Sequence, residues 1–317
     1  MTDERSSARS RDERALRSPR LDSVLAGLRA TPASAGAMRM SGRPAPARYV
    51  VLVCSGKGGV GKSTVAVNVA VSLAAGGLRV GLLDADVHAP DIPVLLGLKR
   101  SRPATGWQLA RAGGLDRTPL EPVDTHGVRI MSSGFIVSED QALTWNADLV
   151  GLLLNQLIWS TVWGELDFLV IDTPPGTSDV MQAMLRALPD ALAVVVVTPQ
   201  DVAHLDNRRL LAALRTAGVR LLGGIENMSG LRCPACDSHI DLFPPVTPER
   251  SIWASGLPRL GTVPWSAAEA GPVDEPVVLT AARSRRAIAL RAATEAVRVA
   301  AVAAVDVGGE HREPGES

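Results

Sequence analysis

Three groups of residues in this chain are of a type and spacing that could do chemistry. The first is the stretch Gly56-Lys57-Gly58-Gly59-Val60-Gly61-Lys62-Ser63-Thr64. Its glycines let backbone N–H groups converge on an anion without hindrance from Cβ atoms. The apolar run from Tyr49 to Cys54 precedes it, and the run from Val65 to Ala70 continues it as a helix. Strand, glycine loop and helix N-terminus together make a phosphate-binding loop. Lys62 would reach the β- and γ-phosphates of a nucleotide, and the Ser63 hydroxyl would ligate Mg²⁺. Of 33 basic residues only Lys57, Lys62 and Lys99 are lysine, and two of these fall in this loop. A compact ammonium fits between phosphates where a planar guanidinium does not.

The second group is carboxylates at strand ends, with one amide. Asp172 closes the run Phe168 to Ile171, ahead of Thr173-Pro174-Pro175-Gly176. A nucleotide fold needs its second Mg²⁺ ligand there, and the stiff Pro-Pro-Gly turn suits a loop that senses the γ-phosphate. Asp84 and Asp86 close another run, and strand ends on one edge of a parallel sheet face one crevice. One of them could position the attacking water and the other support the metal shell. Asn227 follows a strand ending at Ile225, where a side-chain amide could pair with an adenine ring.

The third group is Cys233-Pro234-Ala235-Cys236. Two thiolates at this spacing can chelate one soft metal or one edge of a cluster. A closed zinc site wants four ligands, and the nearest candidates to complete one are His239 and Asp241. A redox disulfide is a further option, although the pair does not open a helix after a first strand. Doubling two ligands across a two-fold axis gives the four thiolates of a [4Fe–4S] cluster. Cys54, within an apolar strand, reads as a small core residue.

Positioning these groups takes an alternating α/β chain. Apolar runs predict strands over 49–54, 79–84, 128–132, 167–172, 191–198, 219–225 and 258–262. Helical periodicity predicts helices over 62–75, 146–160, 178–187, 202–216, 247–255 and 280–305. Runs such as Ala193 to Val197 are continuous rather than alternating, as central parallel strands should be. The expected fold is α/β, a mostly parallel P-loop NTPase sheet with helices on both faces in three layers. Residues 1–48, with ten arginines against five acidic residues, read as a disordered arm. Residues 49–305 read as the P-loop NTPase domain, with the CxxC insert and an irregular insertion at 99–127, and 306–317 as a flexible tail.

Among 317 residues basic and acidic side chains balance at 33 each, so composition gives no argument for a nucleic-acid partner. Three cysteines do not suggest a secreted disulfide scaffold, and no signal core or membrane span is visible. The expectation is a cytoplasmic protein with neither nucleic-acid nor membrane partner.

The chain resembles the Mrp/ApbC family of iron–sulfur cluster carrier ATPases, within the MinD/ParA-like class of deviant P-loop proteins. The matching segments are Ser55 to Ser63, Leu82-Leu83-Asp84-Ala85-Asp86, Ser133-Gly134-Phe135, Trp163 to Asp167 and Ile171 to Thr177. Further on come Thr198-Pro199-Gln200-Asp201-Val202, Glu226-Asn227-Met228-Ser229 and the cysteine pair. The resemblance implies an ATP-hydrolysing homodimer in which Lys57 reaches the partner's nucleotide. It implies Asp86 as the switch aspartate beside the attacking water and Asp172 as the Walker B carboxylate. Cys233 and Cys236 would hold a [4Fe–4S] cluster shared between two chains, delivered to apo iron–sulfur proteins. Two segments depart from the family pattern, Trp145-Asn146-Ala147-Asp148-Leu149 and Ile240-Asp241-Leu242-Phe243-Pro244-Pro245, and only a short arm stands where many members have an accessory domain. The alternative is a positioning ATPase of the MinD/ParA type without a cluster.

Overall fold

A computed structural model describes residues 45–98, 119–135, 147–233, 235–266 and 275–309. The arm as far as residue 44, most of the 99–127 insertion, the departure at 145–146 and the tail from 310 lie outside the described residues.

Among the described residues the core is a nine-stranded sheet. Its strands are β1 (Tyr49–Cys54), β2 (Val80–Asp84), β3 (Val123–Thr125), β4 (Val128–Ser132), β5 (Phe168–Asp172), β6 (Leu192–Val197), β7 (Arg220–Arg232), β8 (His239–Ile240) and β9 (Arg259–Trp265). They lie in the order β3-β4-β2-β5-β1-β6-β7-β8, with β9 also on β7. All pairs are parallel except β3 with β4 and β7 with β8. Every residue of β1, β2, β5 and β6 is buried, which is why these segments carry unbroken apolar runs.

The helices are α1 (Lys62–Ala75), α2 (Ile92–Leu95), α3 (Ala147–Trp159), α4 (Asp179–Ala187), α5 (Asp201–Thr216), α6 (Val277–Thr280) and α7 (Arg285–Gly309). The connection through α1 runs from β1 across β5 to β2, whereas those through α3, α4 and α5 run the other way along the sheet. Right-handed crossovers therefore put α1 on one face and α3, α4 and α5 on the other. Packing agrees, since α1 meets α6 and α7, and α3 meets α4. Connections reverse direction at β1, so the crevice at its C-terminal end is where such a sheet binds ligand.

Three local expectations change. Residues 247–255 form a turn and a short 3₁₀ helix, Ile252–Ser255, rather than one helix. Pro248 can open a helix but the segment is stopped at Gly256, which takes φ +77. The end of the 99–127 insertion contributes β3, an antiparallel edge strand. β7 runs on to Arg232 past the turn-like Asn227-Met228-Ser229-Gly230.

Candidate functional site

The phosphate loop leaves β1 at Ser55 and enters α1 at Lys62. Gly58 and Gly59 form its exposed crest, while Ser63 and Thr64 occupy the first turn of α1, half-buried. Four hydrogen bonds to three neighbouring segments brace this loop. Gly176 N–H, after β5, donates to Ser55 O at 2.7 Å. Gly56 N–H donates to Asn207 Oδ1 at 2.8 Å. Lys57 Nζ donates to Gln200 Oε1, just before α5, at 3.4 Å. Asn227 Nδ2 donates to Val60 O at 2.9 Å.

Two glycines are fixed by those contacts. A Cβ on Gly56 would lie 2.4 Å from the Asp206 carbonyl carbon, so only glycine lets α5 approach the loop. Gly61 caps α1 at φ 80, and a Cβ there would lie 2.3 Å from Asn227 Nδ2.

At the floor of the loop Lys62 Nζ donates to Asp172 Oδ1 at 2.6 Å, both side chains being buried. Burial raises the Asp172 carboxyl above its ordinary range, and Lys62 and Ser63 partly offset the effect. The second oxygen, Asp172 Oδ2, is buried without a hydrogen-bond donor. That orphaned oxygen, on a carboxylate that the Ser63 hydroxyl also reaches, makes with Ser63 a set of hard donors that fits Mg²⁺.

Asp84 and Asp172 are register partners on β2 and β5. Asp84 is saturated by protein donors. One oxygen accepts from Asp86 N–H at 3.2 Å, and the other from Ser132 Oγ at 2.9 Å and Ile92 N–H at 3.3 Å. Burial, then the neighbouring Asp172 charge, pushes its carboxyl well above the usual range. Asp84 thus ties β2, β4 and α2 together around the segment that carries Asp86. Asp86 accepts only from nearby backbone, Ala89 N–H at 3.3 Å among it, and burial also raises its carboxyl. The structure brings Lys62, Asp84, Asp86 and Asp172 into mutual electrostatic reach.

Asn207 is the residue that motif reading missed. It is fully buried on α5, its Nδ2 donating to Ala203 O at 2.9 Å and Val196 O at 3.4 Å while Oδ1 holds Gly56. Its signal is a lone amide in the apolar stripe Ala203, Leu210, Leu211 and Leu214.

The cysteine pair lies elsewhere, in the turn between β7 and β8. Asp237 N–H donates to Cys233 O at 2.8 Å and Cys233 N–H to Ser238 O at 2.9 Å, closing the turn. Cys233 is half-buried, Cys236 exposed, and both are free thiols. Ser238 Oγ lies 3.2 Å from Cys236 Sγ, and this hydroxyl, with the Ser238 backbone and Cys233, lowers the Cys236 thiol below its ordinary range. His239 Nε2 is 2.9 Å from Asp241 Oδ1. Among the described residues no three His, Cys, Asp or Glu side chains converge into a metal site. Cys54 is fully buried in β1, and burial pushes its thiol up to about 12. Among the described residues no helix is long and apolar enough to cross a membrane.

Residues 47–298 match the ParA family model described as NUBPL iron-transfer P-loop NTPase. An iron–sulfur cluster carrier protein of Synechocystis is 41% identical over 248 residues, 77% of this chain and 69% of the relative. The protein of the same name from Escherichia coli K12 is 40% identical over 196 residues, 62% of this chain and 51% of the relative. The chain thus spans about half the length of that relative. Among solved structures, a nucleotide-binding protein from Archaeoglobus fulgidus in complex with ADP matches 80% of this chain and 90% of its own. Its TM-score is 0.59, with 27% identity. The Pyrococcus furiosus cell division ATPase MinD matches 80% of this chain at TM-score 0.59 and 23% identity, a likeness of fold.

Proposed function

Because the chain belongs to the ParA family of NUBPL-type iron-transfer P-loop NTPases, we propose that it is an ATP-hydrolysing carrier of iron–sulfur clusters. It would hold its cargo at Cys233 and Cys236 and deliver it to apo-proteins. One observation carries this reading: a braced phosphate loop and an open two-thiol turn occur on one polypeptide.

At the nucleotide site Lys62 would contact the β- and γ-phosphates, exchanging part of its bond to Asp172 for the incoming anion. The N–H groups of Gly58 to Thr64 would cradle the phosphates at the start of α1. Ser63 and the free Oδ2 of Asp172 would hold Mg²⁺, which supplies neutralisation of charge on the transferring phosphoryl group. Asp86, the less constrained of the two β2 carboxylates, would orient the attacking water, and Asp84 would fix the segment that carries it. Asn227 has one amide hydrogen committed to Val60 O and would offer its remaining groups to the adenine.

At the turn each chain supplies two thiolates. A [4Fe–4S] cargo needs four, so two copies would share it across a two-fold axis. Lys57 would leave Gln200 to reach the nucleotide of the second copy.

Anaerobic reconstitution with iron and sulfide, read by absorption and by the mass of the complex, tests the cargo assignment. The expected product is a brown dimer holding one cluster, and Cys233→Ser with Cys236→Ser should stay colourless. A colourless, monomeric wild-type protein with normal ATPase activity would leave a switch ATPase without cargo as the better description.

A further inference from the structure

β7 touches both sites. At Asn227 it is bonded to the phosphate loop, and the Met228 methyl carbon lies 3.7 Å from the place a Gly61 Cβ would occupy. Five residues on, the same strand ends at Arg232, and Cys233 follows it. At about 3.3 Å per residue the two points are no more than on the order of 20 Å apart along one strand.

Between them the strand is broken. Against β9, β7 advances from Asn227 to Leu231 while its partner advances only from Val263 to Trp265, so two residues are extra. Met228 takes φ 58, a left-handed conformation that a non-glycine residue adopts only when its surroundings impose it. Gly230 takes φ 133, and the His239 imidazole fills the space where its Cβ would be, with Cε1 at 2.3 Å. Beyond the break, Leu231 and Arg232 pair with Ile240 and His239, and the cysteine turn begins. Arg232 Nη1 donates to Asp237 O at 2.8 Å, and Asp237 Oδ2 accepts from Arg285 Nη2 of α7 at 2.9 Å. The turn therefore moves with the last residues of β7, and the strained joint faces the loop that nucleotide must enter.

We propose that the Met228–Gly230 break in β7 is a coupling joint that passes nucleotide occupancy of the phosphate loop to the geometry of the cysteine turn. Phosphate entering the loop turns the Val60–Gly61 peptide, Asn227 and Met228 follow it, and the paired end of β7 carries Cys233 and Cys236 with it. Strain at Met228 gives the joint a second arrangement to relax into, which a two-state coupling requires. The inference rests on the carrier reading only for the identity of what is moved.

The test uses the full-length apo-protein and needs no cluster. Alkylation of Cys233 and Cys236 by iodoacetamide is timed with and without Mg²⁺ and a slowly hydrolysed ATP analogue, at saturation for each variant. Cys54 is walled off, so the rate reports the turn. The expected wild-type rate ratio between the two states is at least about fivefold. Met228→Gly, which accepts the left-handed backbone without strain, should bring the ratio close to one. Ser229→Gly, which adds slack but leaves the Gly61 contact in place, should do the same. Arg285→Ala, which frees the turn from α7, should keep the wild-type ratio. An unchanging wild-type rate overturns the proposal. So does a ratio retained in both glycine variants, or one lost in Arg285→Ala alone, which would route the coupling through α7. A protein that fails to take up a cluster yet shows this pattern retains the joint and loses only the cargo assignment.

Discussion

The phosphate loop and the cysteine turn are built on opposite plans. Lys62, Asp84 and Asp172 are buried, and the loop that holds Lys62 is tied by four hydrogen bonds to three separate segments of the chain. The loop is held from several sides before any ligand arrives, with Lys62 already in place on Asp172 at its floor. The cysteine turn is exposed, ends a strand just past a break in its pairing, and offers half of a tetrahedral ligand set. A site that must surrender what it holds gains from being open and incomplete. Under the proposed function the difference would separate the two activities: hydrolysis within one chain's interior, and cargo retention where two copies meet.

The contrast breaks most completely at Lys62. Lys62→Ala should reduce ATP turnover by at least about a hundredfold, as loss of a charge-stabilising donor does. It also strands Asp172 unpaired in the core, so the apo-protein should lose about 3–5 kcal/mol in denaturant titration. Full hydrolysis by this variant would refute the nucleotide assignment. The reverse lesion is Cys233→Ser with Cys236→Ser, which should abolish cluster uptake while ATP turnover stays within about twofold and stability within about 0.5 kcal/mol. Loss of ATPase activity in that double variant would show that the two regions are one unit.

Smaller effects sharpen the comparison. Asn207→Ala removes the acceptor from Gly56 N–H and leaves Ala203 O and Val196 O without their side-chain donor, at about 1–3 kcal/mol. Nucleotide affinity should weaken and cluster uptake should not. The smallest expected change is the stability of Asp86→Asn. Burial raises the Asp86 carboxyl, so the folded state binds more protons than the unfolded state just above the ordinary carboxylate range. Its contribution to stability therefore falls as pH rises through that window. At pH 7.5 the variant should melt above wild type, the advantage shrinking as pH is lowered toward that range, while hydrolysis is lost. An unchanged melting temperature at both pH values would remove the burial argument for Asp86.

Much of this was legible in the chain itself. The bounds of β1 and β4 match the expected 49–54 and 128–132 to the residue; β1 is apolar and buried throughout, and β4 is buried except at Arg129. Lys62, Ser63 and Asp172 stand out by motif, and the fold brings Lys62 and Asp172 into one buried hydrogen bond. Asp84 was read with Asp86 as a ligand-facing pair. Sequence spacing could not reveal that Ser132 and Ile92, 48 and 8 residues away, take up its oxygens. Asn207 was invisible for a related reason: its partner Gly56 is 151 residues distant, and only the fold brings them together. The extension of β7 was missed because Asn227-Met228-Ser229-Gly230 has the composition of a turn, and the strand passes through it by bulging.

The third thiol, Cys54, lies within the sheet on β1, where burial pushes it up to about 12. Of the three thiols, peroxide would therefore meet Cys233 and Cys236 first, and a disulfide joining them is one that a thiol reductant can undo. Oxidative injury would fall on a part that can be repaired from outside, and the ATP-handling interior would be spared.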